Sequence, residues 1–347
     1  MTVTVLMVSA RAGGLGRRIA SGLGDARLVE TGGIDDLRAA LAAVFAAAGP
    51  RAVVFIGAAA IAVRLVAPFL KDKLTDPAVV VVDEAGRYAV SLLSGHMGGG
   101  NDLARRVAAV IGAEPVVTTA TDGAGLPALE DLMLRFSLAV EDRSSIRAVN
   151  SALLDGAGVL VVDGDAARLA AMERAVGRPF VFSSRLPEVT ERCGAVAVVT
   201  PFVDDPLVRR AGPGVAVLRP REFVAGMGCD RGASPEELEA ALMEALSLGG
   251  VALKALRNLA SVDLKRDEPG LLELAASLGL GIDFFSRREL AAVEPPSGPS
   301  PAVMEKIGVG GVAEPAAMLS ARTGRIWTKK IKRGRVTAAL ARAASIS

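Results

Sequence analysis

The chain has 347 residues, of which 51% are hydrophobic and only 3% aromatic, so its cores must consist mostly of Ala, Val and Leu. Forty basic residues against 38 acidic ones give a net charge of +2, which excludes a chain built as a whole to bind nucleic acid. Two cysteines and a single histidine, His96, are too few for a disulfide framework, a zinc ribbon or a histidine-rich metal site.

No segment has the pattern of a signal peptide or a membrane span. The first apolar run lacks a basic start and a small-residue cleavage site. The most apolar stretch, residues 52–70, is interrupted by Arg64, whereas a span needs about 20 apolar residues. We therefore expect a cytoplasmic protein that does not bind membranes.

Residues 1–128 alternate apolar runs with helical stretches, which predicts an N-terminal α/β domain whose mostly parallel sheet has flanking helices. The predicted strands are Val3–Val8, Ala52–Ile56, Val79–Val82, Tyr88–Leu93 and Pro115–Thr118. The predicted helices are Ile34–Ala47, Ala59–Leu70 and Asp102–Ile111.

Two further, smaller α/β domains are predicted, at residues 129–218 and 219–347. The first has predicted strands near Gly158–Val162, Phe180–Ser183 and Ala195–Val199, and the Gly- and Pro-rich stretch Asp204–Gly214 is predicted to be a linker. In the second, Ser234-Pro235-Glu236-Glu237 predicts a helix start with a capping box.

Two glycine-rich segments are ambiguous. Gly13-Gly14-Leu15-Gly16 follows the first strand, where a dinucleotide fingerprint would lie, but Ile19 replaces the third small residue. We interpret this segment as a plain glycine turn, and a nicotinamide-dependent oxidoreductase stays open as an alternative. Gly226-Met227-Gly228, before Cys229, is likewise predicted to be a turn.

The C-terminal end is strongly basic. From Arg322 onward there are eight basic residues and no acidic one, and the rest of the chain has 32 basic against 38 acidic residues. Interleaved aromatic residues, which would indicate a stacking platform for RNA, are missing. The pattern suits either a small polyanionic ligand or a solvated surface.

The segment from Ser94 to Asn101, with His96 among four glycines, is the strongest candidate site in the chain. It follows one predicted strand, while Gly57 and Thr118-Thr119 follow two others. If all these strands are parallel, the three clusters share one edge of the sheet. Glycines let a ligand approach the backbone, and Asn101 or Asp102 would cap the next helix, whose free N–H groups favour an anion.

Motifs in a specific order carry a resemblance to a known family. The N-terminal motifs are Gly57-x5-Val63-Arg64-x3-Pro68, Lys71-Asp72-Lys73-x2-Asp76-Pro77, Val80-Val81-Val82-Asp83-Glu84, Ser91-Leu92-Leu93-Ser94-Gly95-His96, Gly98-Gly99-x-Asn101 and Thr118-Thr119-Ala120-Thr121-Asp122. The C-terminal motifs are Gly226-x-Gly228-Cys229-x2-Gly232, Ser261-x3-Lys265-x2-Glu268, Val312-x-Glu314-Pro315-Ala316-Ala317, and Lys329 with Val336-Thr337. With these motifs the sequence resembles the CbiG family of cobalamin biosynthesis proteins, the cobalt-precorrin-5A hydrolases.

The resemblance implies a hydrolase of the anaerobic route to cobalamin (vitamin B12). Its substrate would be a ring-contracted cobalt corrinoid whose ring A carries a δ-lactone. Water would open the lactone, and a two-carbon unit would leave as acetaldehyde, giving cobalt-precorrin-5B. Cobalt would arrive within the substrate, so no cofactor and no protein metal site are expected. A non-catalytic corrinoid carrier, passing an intermediate between pathway enzymes by transient contacts, stays open as the alternative.

The same resemblance suggests the site residues. We expect His96 to be the general base on the attacking water, because its ordinary pKa near ~6.5 suits work at neutral pH. Lys73, or the N–H groups of Gly98 and Gly99, would stabilise the negative charge that develops on the lactone oxygen. Asp76 is the third predicted catalytic residue, after His96 and Lys73. The predicted substrate-binding residues are Gly57, Ser94, Gly95, Gly98, Gly99, Asn101, Thr118, Thr119, Gly228, Lys265, Glu268 and Glu314.

Overall fold

The computed structural model describes residues 1–24, 26–47, 49, 51–72, 75–186, 193–212 and 214–344. The chain forms two compact units, Met1–Asp131 and Leu132–Ser347. Three mainly parallel sheets with flanking helices confirm the predicted α/β class, with one sheet in the first unit and two in the second. The three-domain division with boundaries after residues 128 and 218 stays a prediction.

The first unit is built on a six-stranded sheet of order β2-β1-β3-β4-β5-β6. Its elements are β1 (Thr2–Met7), α1 (Gly13–Leu23), β2 (Ala26–Val29), α2 (Ile34–Ala46), β3 (Arg51–Ile56), α3 (Ala59–Val66), β4 (Ala78–Val82), β5 (Tyr88–Leu93), α4 (Gly100–Ile111), β6 (Glu114–Val116), α5 (Ala120–Gly123) and the start of α6 (Leu129–Arg135).

Hydrophobic cores cover both faces of this sheet. The central strands β3 and β4 are apolar along almost their whole length, as expected for parallel strands buried on two sides. One core packs Leu103 and Val107 of α4 with Ile19 of α1. The other packs Leu37 of α2 with Leu65 of α3. The helices therefore fix the sheet from both sides, and the strand ends are left to carry loops.

Strand β5 reverses the direction of the sheet, and this corrects one prediction. It pairs with β4 antiparallel, while β6 runs parallel to β5. Only residues 83–87 connect β4 to β5, whereas a parallel neighbour needs a crossover of about a dozen residues. Gly57, after β3, therefore lies at the opposite edge from the loops after β5 and β6. The prediction that Gly57 shares an edge with His96 is wrong.

Smaller differences from the predicted elements have local causes. The α-helical part of the predicted helix 59–70 ends at Val66, and a 3-10 turn containing Pro68 follows it. The last strand of the sheet ends at Val116 rather than at Thr118. Gly13 starts helix α1, and a Cβ atom on Gly16 would lie 2.7 Å from the sulfur of Met7. Gly16 thus allows close packing of α1 on β1, and the segment lies in a helix rather than in a turn.

The second unit holds two five-stranded sheets, of order β7-β11-β10-β8-β9 and β14-β13-β12-β16-β15. The elements of the first are β7 (Leu138–Val140), α7 (Ser144–Leu154), β8 (Gly158–Asp163), α8 (Ala166–Val176), β9 (Phe180–Ser183), β10 (Cys193–Val199), α9 (Pro206–Ala211) and β11 (Ala216–Pro220). Those of the second are β12 (Phe223–Cys229), α10 (Pro235–Gly249), β13 (Leu256–Val262), α11 (Pro269–Leu278), β14 (Gly281–Phe285), α12 (Arg287–Ala291), α13 (Pro301–Ile307), α14 (Ala313–Ala321), β15 (Thr328–Arg333) and β16 (Val336–Arg342).

Two predictions for this unit are wrong and one is confirmed. The predicted linker 204–214 contains α9, because Asp205 accepts a hydrogen bond from the Leu207 N–H and starts a helix. The glycines at 226 and 228 lie within β12 rather than in a turn, and a Cβ atom on Gly226 would lie 1.8 Å from the Ala313 carbonyl oxygen. They let α14 pack closely on the sheet. The capping box of Ser234 and Glu237 starts α10 as predicted.

Among the residues that the structure describes, no helix is both long and apolar enough to cross a bilayer.

Candidate active site

A tight glycine loop joins the end of β5 to the start of α4. Its backbone closes through hydrogen bonds from the Gly99 N–H to the His96 carbonyl, at 2.9 Å, and from the Asn101 N–H to the Gly95 carbonyl, at 2.9 Å. Ser94 adopts a left-handed φ of 53°, which is uncommon for a residue with a side chain. A Cβ atom on Gly98 would lie 2.4 Å from that of Ser94, so the loop has room only for glycine there. This packing fixes the position of His96.

The His96 imidazole lies between a hydroxyl and two carboxylates. Its Nε2 is 3.1 Å from the Thr121 Oγ1. Its Nδ1 is 3.7 Å from Asp122 Oδ2 and 4.0 Å from Asp131 Oδ1. The ring is mostly enclosed, with 16% of the side chain exposed.

The Asp122 carboxylate is held by several donors. Its Oδ2 accepts hydrogen bonds from Thr119 Oγ1 at 2.6 Å and from Asn101 Nδ2 at 2.8 Å, and Arg105 pairs with Oδ1. Burial raises the pKa of Asp122, but the bonds from Thr119 and Arg105 and the charge of His96 outweigh it, so the pKa falls below its ordinary value of 3.8. Asp122 is therefore ionised at neutral pH.

This arrangement defines the chemistry open to His96. Facing two carboxylates, Nδ1 is the nitrogen that is favoured to carry the proton of the neutral ring. The basic lone pair then lies on Nε2, which accepts a hydrogen bond from Thr121. A proton taken up at Nε2 produces an imidazolium beside an ionised Asp122. A general base supported by a nearby carboxylate could have this geometry, and the role of His96 as the base stays a prediction.

Asn101 has a different role from the predicted one. The helix starts at Gly100, with Gly99 as its N-cap residue, so Asn101 lies in the first turn. Its buried amide accepts from Ser91 Oγ at 2.8 Å and donates to Thr119 and Asp122. The prediction that Asn101 or Asp102 caps the helix is wrong, because the side chain of Asn101 instead connects the ends of β5 and β6.

The other predicted residues of the first unit divide into three groups. Thr119 joins the site as described, while Thr118 is exposed. The carboxylate of Asp76 accepts the backbone N–H groups of residues 71 and 72, and its carbonyl accepts from Ser94 Oγ at 3.0 Å, so it organises its own loop. Lys73 lies outside the described residues.

The Gly99 N–H donates to the His96 carbonyl. The oxyanion role predicted for the N–H groups of Gly98 and Gly99 stays a prediction. Thr121, Asp122 and Asp131 were not among the predicted site residues. The first two belong to the Thr118–Asp122 motif, which was the available signal. Asp131 follows nine residues later, and only the fold brings it beside His96.

The predicted residues of the second unit are buried and bonded within the protein. Lys265 Nζ donates to Glu268 Oε2 at 2.8 Å, and the Gly232 N–H donates to Glu268 Oε1 at 2.7 Å. Burial raises the pKa of Glu268, but the bond from Lys265 leaves it below 4.5. The buried carboxylate of Glu314 accepts from Ser297. A Cβ atom on Gly228 would lie 2.6 Å from Thr337 Oγ1. A substrate-binding role for these residues stays a prediction.

The chain matches two family models. Residues 40–122 match the family described as "Cobalamin synthesis G N-terminal", and residues 223–341 match "Cobalamin synthesis G C-terminus". The first match contains the His96 loop and Asp122. The second contains Lys265, Glu268 and Glu314.

Named relatives agree with these matches. The cobalt-precorrin-5A hydrolase of Priestia megaterium is 35% identical over 281 residues, which cover 80% of this chain and 75% of the relative. That of Salmonella typhimurium is 38% identical over 277 residues, covering 77% and 75%. The chain is also similar to CobE, a protein from the cobalamin (vitamin B12) biosynthetic pathway whose crystal structure is known. The two sequences are 38% identical over a match that covers 37% of this chain and 94% of CobE, with a TM-score of 0.34. The chain thus belongs to the cobalamin synthesis G (CbiG) family, which confirms the resemblance.

Proposed function

We propose that the protein is a cobalt-precorrin-5A hydrolase, which opens the ring A δ-lactone of its cobalt corrinoid substrate and releases acetaldehyde. Relatives of that name, matched over about three quarters of their length, support the choice of substrate. The observation that carries the chemistry is the position of His96, with Nε2 at the Thr121 hydroxyl and Nδ1 facing Asp122 and Asp131.

In the first step, water attacks the lactone carbonyl. The Thr121 hydroxyl passes its proton to His96 Nε2 and takes one from this water, and the carbonyl oxygen becomes negative in the tetrahedral intermediate. Asp122 and Asp131 stabilise the resulting imidazolium. Collapse of the intermediate breaks the acyl–oxygen bond. The leaving oxygen takes the proton held by His96 and becomes a free hydroxyl, while the new carboxylic acid loses its proton to solvent. Such a base contributes about 10²–10⁴-fold to the rate.

In the second step, the freed hydroxyl is deprotonated, and the bond between the carbon that carries it and the ring breaks. The two carbons leave as acetaldehyde, and the electron pair of the broken bond passes into the conjugated cobalt macrocycle. The cobalt belongs to the substrate, and the proposal requires no resident cofactor. Transient contact with other enzymes of the same pathway stays a prediction.

The His96→Ala variant tests the role of the imidazole. We expect turnover of cobalt-precorrin-5A under anaerobic conditions to fall about 10²–10⁴-fold, with substrate affinity and melting temperature nearly unchanged. Ser21→Ala is the control, because Ser21 is an exposed residue of helix α1 that lies outside the predicted site, and it should keep near-full turnover.

Near-full turnover by a folded His96→Ala protein would remove His96 as the base. A wild-type protein that binds the corrinoid tightly and leaves its mass unchanged would identify a carrier instead of an enzyme.

A further inference from the structure

A polar cleft of about 710 Å³ lies beside the edge strand β14 of the second unit. Its walls come from β13, β14 and the C-terminal end of α14. Three arginines line it: Arg257, Arg266 and Arg322. The volume is that of a site for an organic molecule rather than for a single small ion.

Arg257 is held in place by a buried polar network. Its Nε donates to Asn258 Oδ1 at 2.9 Å and its Nη2 to the Ser320 carbonyl at 2.6 Å. Asn258 and Ser320 are both buried and bond to each other at 2.9 Å, and both donate to Asp283. The bond from Arg257 also gives the Ser320 carbonyl, in the last turn of α14, a hydrogen-bond partner. The guanidinium is therefore oriented before any ligand arrives, with Nη1 not used in these bonds.

The other two arginines are placed by different means. The Arg266 guanidinium carbon lies 5.2 Å from the centre of the Phe284 ring, in a cation–π contact. Arg322 ends α14 with a left-handed φ of 52°. Within the described part of the chain, none of the three arginines has an ion pair with a carboxylate. Asp283 is the one acidic side chain of the lining, so the cleft keeps an excess of positive charge.

We propose that this cleft binds carboxylate groups of the protein's ligand. Planar guanidinium groups form paired hydrogen bonds with carboxylates, and three of them around one cleft favour a molecule that carries several. Given the proposed function, on which this choice of ligand rests, the molecule is the polycarboxylate corrinoid substrate. The cleft then binds its peripheral acid groups and takes no part in the bond-breaking steps.

Citrate is the first probe, because it presents three carboxylates without any corrinoid chemistry. Calorimetric titration of the full-length protein should show binding that weakens with salt. The double variant Arg266→Gln, Arg322→Asn should weaken it at least about tenfold, since charge-assisted hydrogen bonds are lost. Asparagine suits position 322 because it tolerates the left-handed backbone. The control Arg174→Gln, Arg210→Gln removes two exposed arginines elsewhere and should leave the affinity within about twofold.

Equal citrate affinity in the cleft variant and the wild type would overturn the site, as would an equal loss in the control variant. Kinetics with cobalt-precorrin-5A form the second arm, where the cleft variant should raise KM at least about tenfold and keep kcat. An unchanged KM beside weakened citrate binding would overturn the corrinoid as ligand. An inactive wild type would contradict the proposed function alone, because the citrate titration still tests the cleft.

Discussion

Asn101 shows how closely the residues of the site depend on one another. Its amide contacts Ser91 at the end of β5 and both Thr119 and Asp122 after β6, so it sets the position of the carboxylate beside His96. The sequence identified Asn101 as important but predicted a helix cap. In the sequence, an asparagine that caps a helix looks the same as one whose side chain bonds to neighbouring strands. Because α4 begins at Gly100, Asn101 lies inside the helix and its side chain is not the cap.

The lowered pKa of Asp122 has a consequence for acid stability. A carboxylate with a pKa below 3.8 in the folded protein contributes stability that is present above the unfolded pKa and is lost as pH falls through the lowered folded value. We expect the free energy of unfolding of Asp122→Asn to differ from that of wild type by a constant amount above about pH 5 and by less below about pH 4. Urea denaturation at a series of pH values measures this difference.

Asp35→Asn is the control for this series, because the Asp35 side chain is 88% exposed and pairs only with a surface arginine. Its effect on the free energy of unfolding should stay small, because an exposed ion pair contributes little to stability. A difference between Asp122→Asn and wild type that is the same at pH 3 as at pH 7 would contradict the lowered pKa of Asp122.

At the scale of elements, the loop between β5 and α4 depends on glycine. Gly98→Ala would place a Cβ atom 2.4 Å from the Ser94 Cβ and 2.7 Å from the Ser94 carbonyl oxygen. We expect this variant to lose about 1–3 kcal/mol in the free energy of unfolding and to lower kcat, since His96 lies in the same loop.

Gly123→Ala is the matched control, because a Cβ atom there meets nothing within 4 Å and the residue lies in the helix α5. Alanine has a higher helix propensity than glycine. The free energy of unfolding of Gly123→Ala should therefore stay the same or rise by up to about 1 kcal/mol. If both variants had equal stability and activity, the tight loop would not be required for the site.

The direction of β5 was within reach of the sequence, since five connecting residues do not permit a parallel crossover. Strand β4 was predicted well because a run of valines bounded by turns is typical of a buried strand. Strand β2, by contrast, is short and half-buried, and local pattern did not reveal it. Helix α9 was missed because Gly and Pro around it indicate a loop, whereas Asp205 caps the helix.

At the scale of the whole molecule, a buried network of charges connects the two sheets of the second unit. Glu222, after β11, accepts from Arg168 of α8 at 2.8 Å and from Arg342 of β16 at 2.7 Å, while Arg168 also pairs with Asp163. Glu222 is far from both arginines in sequence, and no motif marks these residues. The sequence predicted the fold class and the family but not this network.

Glu222→Ala should cost about 3–5 kcal/mol in the free energy of unfolding, because it leaves two arginines without their shared carboxylate. Glu244→Ala removes a partly exposed partner of Arg333 and should cost at most about 1 kcal/mol. Urea denaturation at neutral pH compares them. Equal costs would mean that the Glu222 network does not hold the unit together.

Anaerobic turnover of cobalt-precorrin-5A in ¹⁸O-labelled water tests the central claim most directly, since it asks whether water opens the lactone. Mass spectrometry of the corrinoid should show loss of the two-carbon unit and gain of one ¹⁸O atom in the new carboxylate, with one acetaldehyde released for each turnover and no added cofactor. A corrinoid of unchanged mass, or a product that releases acetaldehyde without taking up the label, would contradict the account.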